Sequence, residues 1–314
     1  MTKRISDMLN RFVVPAVVLA ASMFSLPVRA QNATRTPFPA PDPNAPPAAQ
    51  NQEKHIDGWY KEVPAPPKDQ QAAPAPRRDL SGIWEPAGGW RDGVQFLGAK
   101  EYPSDGKPQH ELPFTSLGEK MWKSHKPGFG TTEVPIALNN DPFDTCDPIG
   151  FPRIELFNLR AIQIVQNPKQ VLIFYQNDRT FRSIWSDGRA FPPDDISEPR
   201  WYGYSTGKWE DDATFVVETT GLDERTWIDN VGRPHSSDLR VEERFHRVNH
   251  DIMEITLTIN DPQMYTKPWN ALNKFPMRLQ PADFDLREMI CSPSEQAQFD
   301  KDVSRPAIAD TKKK

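Results

Sequence analysis

The residues best suited to chemistry gather between Phe181 and Val217 and again around His235. His235 has Arg233 and Pro234 before it and Ser236, Ser237 and Asp238 after it. An imidazole titrates near neutral pH, so His235 is the candidate general base, with Asp187 or Asp238 to orient it and Asp187 or Glu210 as its acid partner. Asp187-Gly188 is tight-turn chemistry, and Arg189 after it either closes a salt bridge within the turn or offers its forked donors to a carboxylate or phosphate. No serine stands in a Gly-x-Ser-x-Gly turn, which argues against a Ser/His/Asp triad. Glu210, Asp211, Asp212, Asp194 and Asp195 either solvate turns or, with two of them facing at ~5 to 9 Å, support glycosidase-type chemistry. Trp185, Trp201, Tyr202, Tyr204 and Trp209 put five rings within 25 residues, as plain core or as a stacking wall for a sugar or an apolar molecule. His246 and His250 share a strand face but lack a third ligand, and Cys146 and Cys291 have no Cys or His at ligand spacing. A metal site is therefore not expected, and nothing in the sequence calls for a cofactor.

These side chains need a scaffold, and the pattern after Cys146 supplies one. Short runs rich in Ile, Val and Phe cover Leu159 to Gln166, Gln170 to Tyr175 and Thr180 to Trp185, separated by Asn167-Pro168-Lys169 and Asn177-Asp178-Arg179. Further strands are predicted over Tyr204 to Glu210, Thr214 to Thr219, Leu239 to Val248, Ile252 to Ile259, Met277 to Leu279 and Phe284 to Ile290. With Ser81 to Trp84 this makes nine or ten antiparallel strands and almost no helix. Short consecutive strands favour a meander, and closing it into a barrel removes the exposed edges. In the Leu239 to Arg247 run one face, with Leu239, Val241, Glu243, Phe245 and Arg247, is mostly apolar. The other, Arg240, Glu242, Arg244 and His246, is charged, so it is either solvated or lines a lumen through Glu242 and Arg244. Glu85 to Asp147 has poor periodicity, with one helix predicted at Ser116 to Ser124. An irregular segment that long signals either function or a misread element.

The chain around this scaffold divides by composition. Basic Lys3, Arg4 and Arg11 precede an apolar run from Phe12 to Leu26 and the small-residue motif Val28-Arg29-Ala30, the pattern of a secretory signal cleaved after Ala30. The apolar run, about fifteen residues, falls short of the roughly 20 that span a bilayer. Residues 31–78 hold eleven of the 33 prolines and read as a disordered tether, in which Ile56 to Tyr60 could dock on the domain. Residues 79–293 form one domain, and 294–314 a polar tail. Net charge is −5 with mixed signs, which argues against a nucleic-acid partner. In an exported chain the two cysteines, Cys146 and Cys291, pair. Closing a loop of about 145 residues stabilises by roughly 4 to 5 kcal/mol on the chain-entropy view.

Gly82-Ile83-Trp84 resembles the first-strand signature of lipocalin-type barrels, where the tryptophan plugs the closed end. More broadly, several motifs occur in order: Ser81-Gly82-Ile83-Trp84, Gly150-Phe151-Pro152-Arg153, Ser186-Asp187-Gly188-Arg189, Gly203 through Glu210, Pro234-His235-Ser236, Glu243-Arg244 and Tyr265 through Trp269. The set resembles a large group of secreted bacterial proteins, common in acidobacteria and proteobacteria and mostly uncharacterised. The resemblance implies an exported barrel and brings no activity with it. Many members of that group have a histidine where this chain has Phe191, and Gly-Asp-Thr where it has Asp211-Asp212-Ala213.

The expectation is an exported all-β protein, an antiparallel meander closed into a lipocalin-like barrel with long irregular N-terminal segments. It would hold a small hydrophobic or aromatic molecule in a cavity walled by the five rings, with Arg189 and His235 at the mouth. An acid/base lyase, isomerase or hydrolase using His235 with Asp187 or Glu210 is the alternative, and a carbohydrate- or peptide-binding protein the second.

Overall fold

In the computed structural model the described residues are 72–191 and 198–306. The chain divides into two units, residues 1–51 and 52–314, and every described residue belongs to the second. The signal-peptide motif, most of the proline-rich tether, Ile56 to Tyr60 and the Asp194-Asp195 pair lie outside the described residues.

Among the described residues nine strands close into one barrel in sequence order. They are β1 (Gly82–Pro86), β2 (Ile162–Gln166), β3 (Gln170–Tyr175), β4 (Phe181–Trp185), β5 (Tyr204–Trp209), β6 (Thr214–Thr220), β7 (Arg240–Arg247), β8 (Ile252–Asn260) and β9 (Trp269–Leu279). Pairing of β1 with β9, Trp84 opposite Leu279, closes the ring. One neighbour pair departs from the expected antiparallel meander: β4 and β5 run parallel and meet only at Ile184–Ser205 and Trp185–Thr206. An odd number of strands cannot alternate direction all the way round a closed sheet, so one parallel pair is unavoidable.

Alternation packs the lumen. Ile162, Ile164, Val171, Ile173, Phe215, Val217, Val241, Phe245, Ile255 and Leu257 are all buried in a single core cluster. At the base Trp84 is buried, donates its indole N–H to the Leu80 carbonyl and lies 4.9 Å from the Arg247 guanidinium carbon. The other end, the mouth, carries the long connections 87–161, 221–239 and 261–268. The helix predicted at Ser116 to Ser124 is present there as α1 (Ser116–Ser124), with Thr115 as its N-cap. A second short helix, α2 (Arg153–Leu156), is buried along its whole length and plugs the mouth. Its Arg153 forms a two-point ion pair with Asp141, at 2.6 and 2.5 Å.

Two expected elements differ. The short strand predicted at Met277 to Leu279 is the end of an eleven-residue strand, β9, that begins at Trp269. Phe284 to Ile290 is not a strand: β1 already has neighbours on both sides, no sheet edge is left, and only an isolated bridge forms between Asn177 and Met289. A helix, α3 (Pro293–Phe299), leads into the polar tail. Cys146 and Cys291 are bonded, so the bridge ties the mouth segment to the residues just before α3.

Candidate functional site

The stretch from Phe181 to Tyr204 builds a cleft at the parallel seam. Along β4, Arg182 and Ile184 point into the barrel while Phe181, Ser183 and Trp185 point out. The ladder to β5 covers only the lower part of β4, so among the described residues Phe181 to Ser183 have no hydrogen-bonded strand on that side. Residues 200–203 approach this gap instead. They are pinned by the Arg200 amide on the Gly221 carbonyl (2.9 Å) and by the Phe151 amide on the Trp201 carbonyl (2.9 Å). Gly203, at φ +64°, comes so close to β6 that a Cβ there would sit 2.7 Å from the Thr219 methyl and the Thr220 carbonyl. Only glycine combines that backbone with that contact. The resulting cleft is about 150 Å³ and is walled by the rings of Phe181, Trp185, Tyr202 and Tyr204, with Arg182 and Arg200 at its polar side. A cavity of that size holds about one benzene ring.

Beneath the seam lies a charge cluster closed to solvent. Arg182 donates to both oxygens of Glu243 at 2.9 and 2.7 Å, to Glu155 of α2 at 3.2 Å and to the Tyr175 hydroxyl at 3.1 Å. Ser205 and Thr219 accept at 3.3 and 3.2 Å, and the Phe151 ring covers the guanidinium at 3.6 Å. One cation faces two carboxyls in a dry interior, where an unmatched charge costs several kcal/mol. The cluster resolves this by holding a proton: burial, then the neighbouring Glu243 charge, pushes Glu155 up to about 8. The Tyr175 hydroxyl, donating to Glu155 at 2.6 Å, is likewise raised by burial.

The structure brings only some of the expected residues together. Trp185, Tyr202 and Tyr204 share the seam cleft, and the Arg189 guanidinium carbon lies 3.5 Å from the Trp185 ring centroid. Arg189 does not offer an open fork, because Asp187 fills it at 2.9 and 2.7 Å within the exposed turn. That pairing also holds Asp187 below the usual carboxylate range. Trp201 and Trp209 lie elsewhere: Trp201 under Arg225 at 4.3 Å, and Trp209 against Phe215 at 5.2 Å. His235 is 1 % exposed, hydrogen-bonded to Thr226 through Nε2 at 2.7 Å and to the Ser236 carbonyl at 3.2 Å. Burial lowers its pKa.

The His235–Asp187–Glu210 arrangement does not form. His235 belongs to the mouth connection, whereas Asp187 and Glu210 follow β4 and β5 at the base, roughly 20 Å away along the strands. Glu210 instead pairs with Arg244, and Glu242 approaches Arg244 at 3.7 Å. Glu242 and Arg244 face outward, so neither lines the lumen. Glu243, from the mostly apolar face, is the inward charge. His246 bonds Thr214 and His250 bonds Asp251. Among the described residues no group of three or more His, Cys, Asp and Glu is placed to hold a metal ion.

Sequence reasoning missed Glu155, Tyr175 and Arg182, and with them a second, larger cleft at the mouth. The signals were present: Arg182 and Glu243 occupy inward positions on alternating strands, and Glu155 stands inside the apolar turn from Phe151 to Phe157. The mouth cleft, about 460 Å³, lies within the Glu85 to Asp147 segment whose length already marked it. The chain matches no family model, and comparisons with curated proteins and with solved structures find no match either.

Proposed function

We propose that the protein binds a small hydrophobic molecule of one aromatic ring at the β4–β5 seam and does so outside the cytoplasm. The observation that carries the binding reading is the seam cleft itself, four rings around about 150 Å³ where the sheet has no ladder. Ring faces and edges of Phe181, Trp185, Tyr202 and Tyr204 favour an aromatic guest. Arg189, already neutralised by Asp187, stiffens Trp185 rather than demanding an anion. The packed lumen leaves the seam, not the barrel interior, as the place for this ligand. Export is supported by the signal-like N-terminus and by the bonded Cys146–Cys291 pair, which persists in oxidising compartments.

Isothermal titration with toluene, phenol, benzyl alcohol and glucose tests the reading. A ligand of about eight heavy atoms at ~0.7 kcal/mol per atom gives a Kd on the order of 0.1 mM. The ring compounds are expected to bind, glucose not, and Trp185→Ala to weaken binding about tenfold or more. Binding of none of the rings at millimolar concentration, or equal binding by Trp185→Ala, would overturn it.

A further inference from the structure

The mouth cleft has its own chemistry, independent of the seam. Its apolar wall is the stacked pair Phe114 and Trp122, with centroids 5.3 Å apart and planes at 16°. The wall is rigid: the Trp122 indole N–H is committed to the Val231 carbonyl at 3.0 Å, and Phe114 leans on Tyr265 at 5.2 Å. Facing into the same cleft is His110, whose Nδ1 lies 2.9 Å from Asp105 Oδ1. Asp105 also takes the Lys107 ammonium at 2.7 Å and the Lys107 amide at 3.1 Å. These contacts, Lys107 first and His110 next, hold its carboxyl well below the usual range. An ionised carboxylate only accepts, so Nδ1 must carry the hydrogen, and in the neutral ring Nε2 is left as an acceptor. No described residue hydrogen-bonds to that Nε2.

The remaining charges decide what an acceptor there would meet. Both cations of the cleft are engaged, Lys107 by Asp105 and Arg233 by Asp229 at 2.9 Å, while Glu111 and Glu119 share the rim. An anionic guest would meet no uncommitted positive charge, whereas a neutral O–H or N–H donor finds the imidazole. A volume of about 460 Å³ falls within the range of small-molecule pockets and admits two fused rings.

We propose that the mouth cleft is a second ligand site, for a neutral hydroxyl-bearing aromatic molecule whose ring packs on Phe114 and Trp122 and whose O–H donates to His110 Nε2. Asp105 acts as a positioning residue, fixing the tautomer.

The test compares 2-naphthol with 2-methoxynaphthalene, the same ring without the donor, by isothermal titration at pH 8. Wild type is expected to bind 2-naphthol about tenfold more tightly, the worth of one hydrogen bond. His110→Phe should abolish that preference while still binding 2-methoxynaphthalene, which reports an intact cleft. Trp122→Ala should weaken both ligands, and Trp185→Ala in the seam should change neither. Equal affinity of the two probes in wild type, or an undiminished preference in His110→Phe, overturns the proposal. So does a loss of both probes in Trp185→Ala. If His110→Phe loses both probes, Asp105→Asn decides: a reduced preference supports the role of the histidine tautomer, and an unchanged one refutes it.

Discussion

Two arginine–carboxylate pairs meet at neighbouring positions of β7 and face opposite ways. Glu243 points inward to Arg182, both side chains at most 1 % exposed, while Arg244 points outward to Glu210, at 35 and 52 %. The groups are the same and their surroundings are not. Outside, water screens the pair and competes for both ends, so it contributes little. Inside, every donor matters: Arg182 spreads over Glu243, Glu155, Tyr175, Ser205 and Thr219, and the surplus carboxyl keeps its proton. Position on a strand, odd or even, thus converts one residue type into two physical objects.

That contrast can be tested at several strengths. Arg182→Met removes the cation shared by two buried carboxyls and should destabilise by ~3 to 5 kcal/mol in urea unfolding at pH 7; a loss below ~1 kcal/mol would mean the cluster relaxes into water. Comparable in size is the pH dependence of Glu155. Its ordinary pKa of 4.5 is raised to about 8 in the fold, so the unfolded chain releases the proton first. The stability tied to the protonated form is complete below about 4.5 and is lost as pH rises to about 8, at up to ~1.4 kcal/mol per unit. Subtracting the Glu155→Gln curve should isolate this slope from that of His235. Burial depresses His235, so its contribution runs the other way, present above 6.5 and lost toward acid. A flat difference curve would show that Glu155 is not the proton holder. The smallest effect is expected outside: Arg244→Ala should change unfolding free energy by ~1 kcal/mol or less and lose most of that in high salt. A change as large as that of Arg182→Met would erase the distinction.

Much of this architecture was legible beforehand. Alternation marked most strands within two or three residues, as in Gln170–Tyr175 and Tyr204–Trp209, but caught only the last three residues of the eleven-residue β9; the Ser116–Ser124 helix stood at its predicted bounds. What alternation cannot report is the partner. Phe284 to Ile290 has a strand-like pattern but arrives after the ring has closed, and β5 has a strand pattern whichever way it runs. The site was harder for the same reason. Trp185, Tyr202 and Tyr204 are close in sequence and meet locally, whereas Glu155, Arg182 and Glu243 converge only when a plug helix and two strands do. His110 and Asp105 stood in a segment without periodicity, where spacing carries no geometric meaning until Thr115 and Phe114 dock on residues 264–265.

The seam between β4 and β5 has a further consequence, one of arithmetic. Because strand count alone forces a parallel neighbour pair, no point substitution can remove it; only gaining or losing a whole strand restores an even ring. Mutation is then free to tune what fills the gap while the gap itself stays. With two register pairs against six between β5 and β6, this is also where the ring should yield first. Backbone amides of Phe181 to Ser183 are expected to exchange with deuterium ahead of those in β7 and β8.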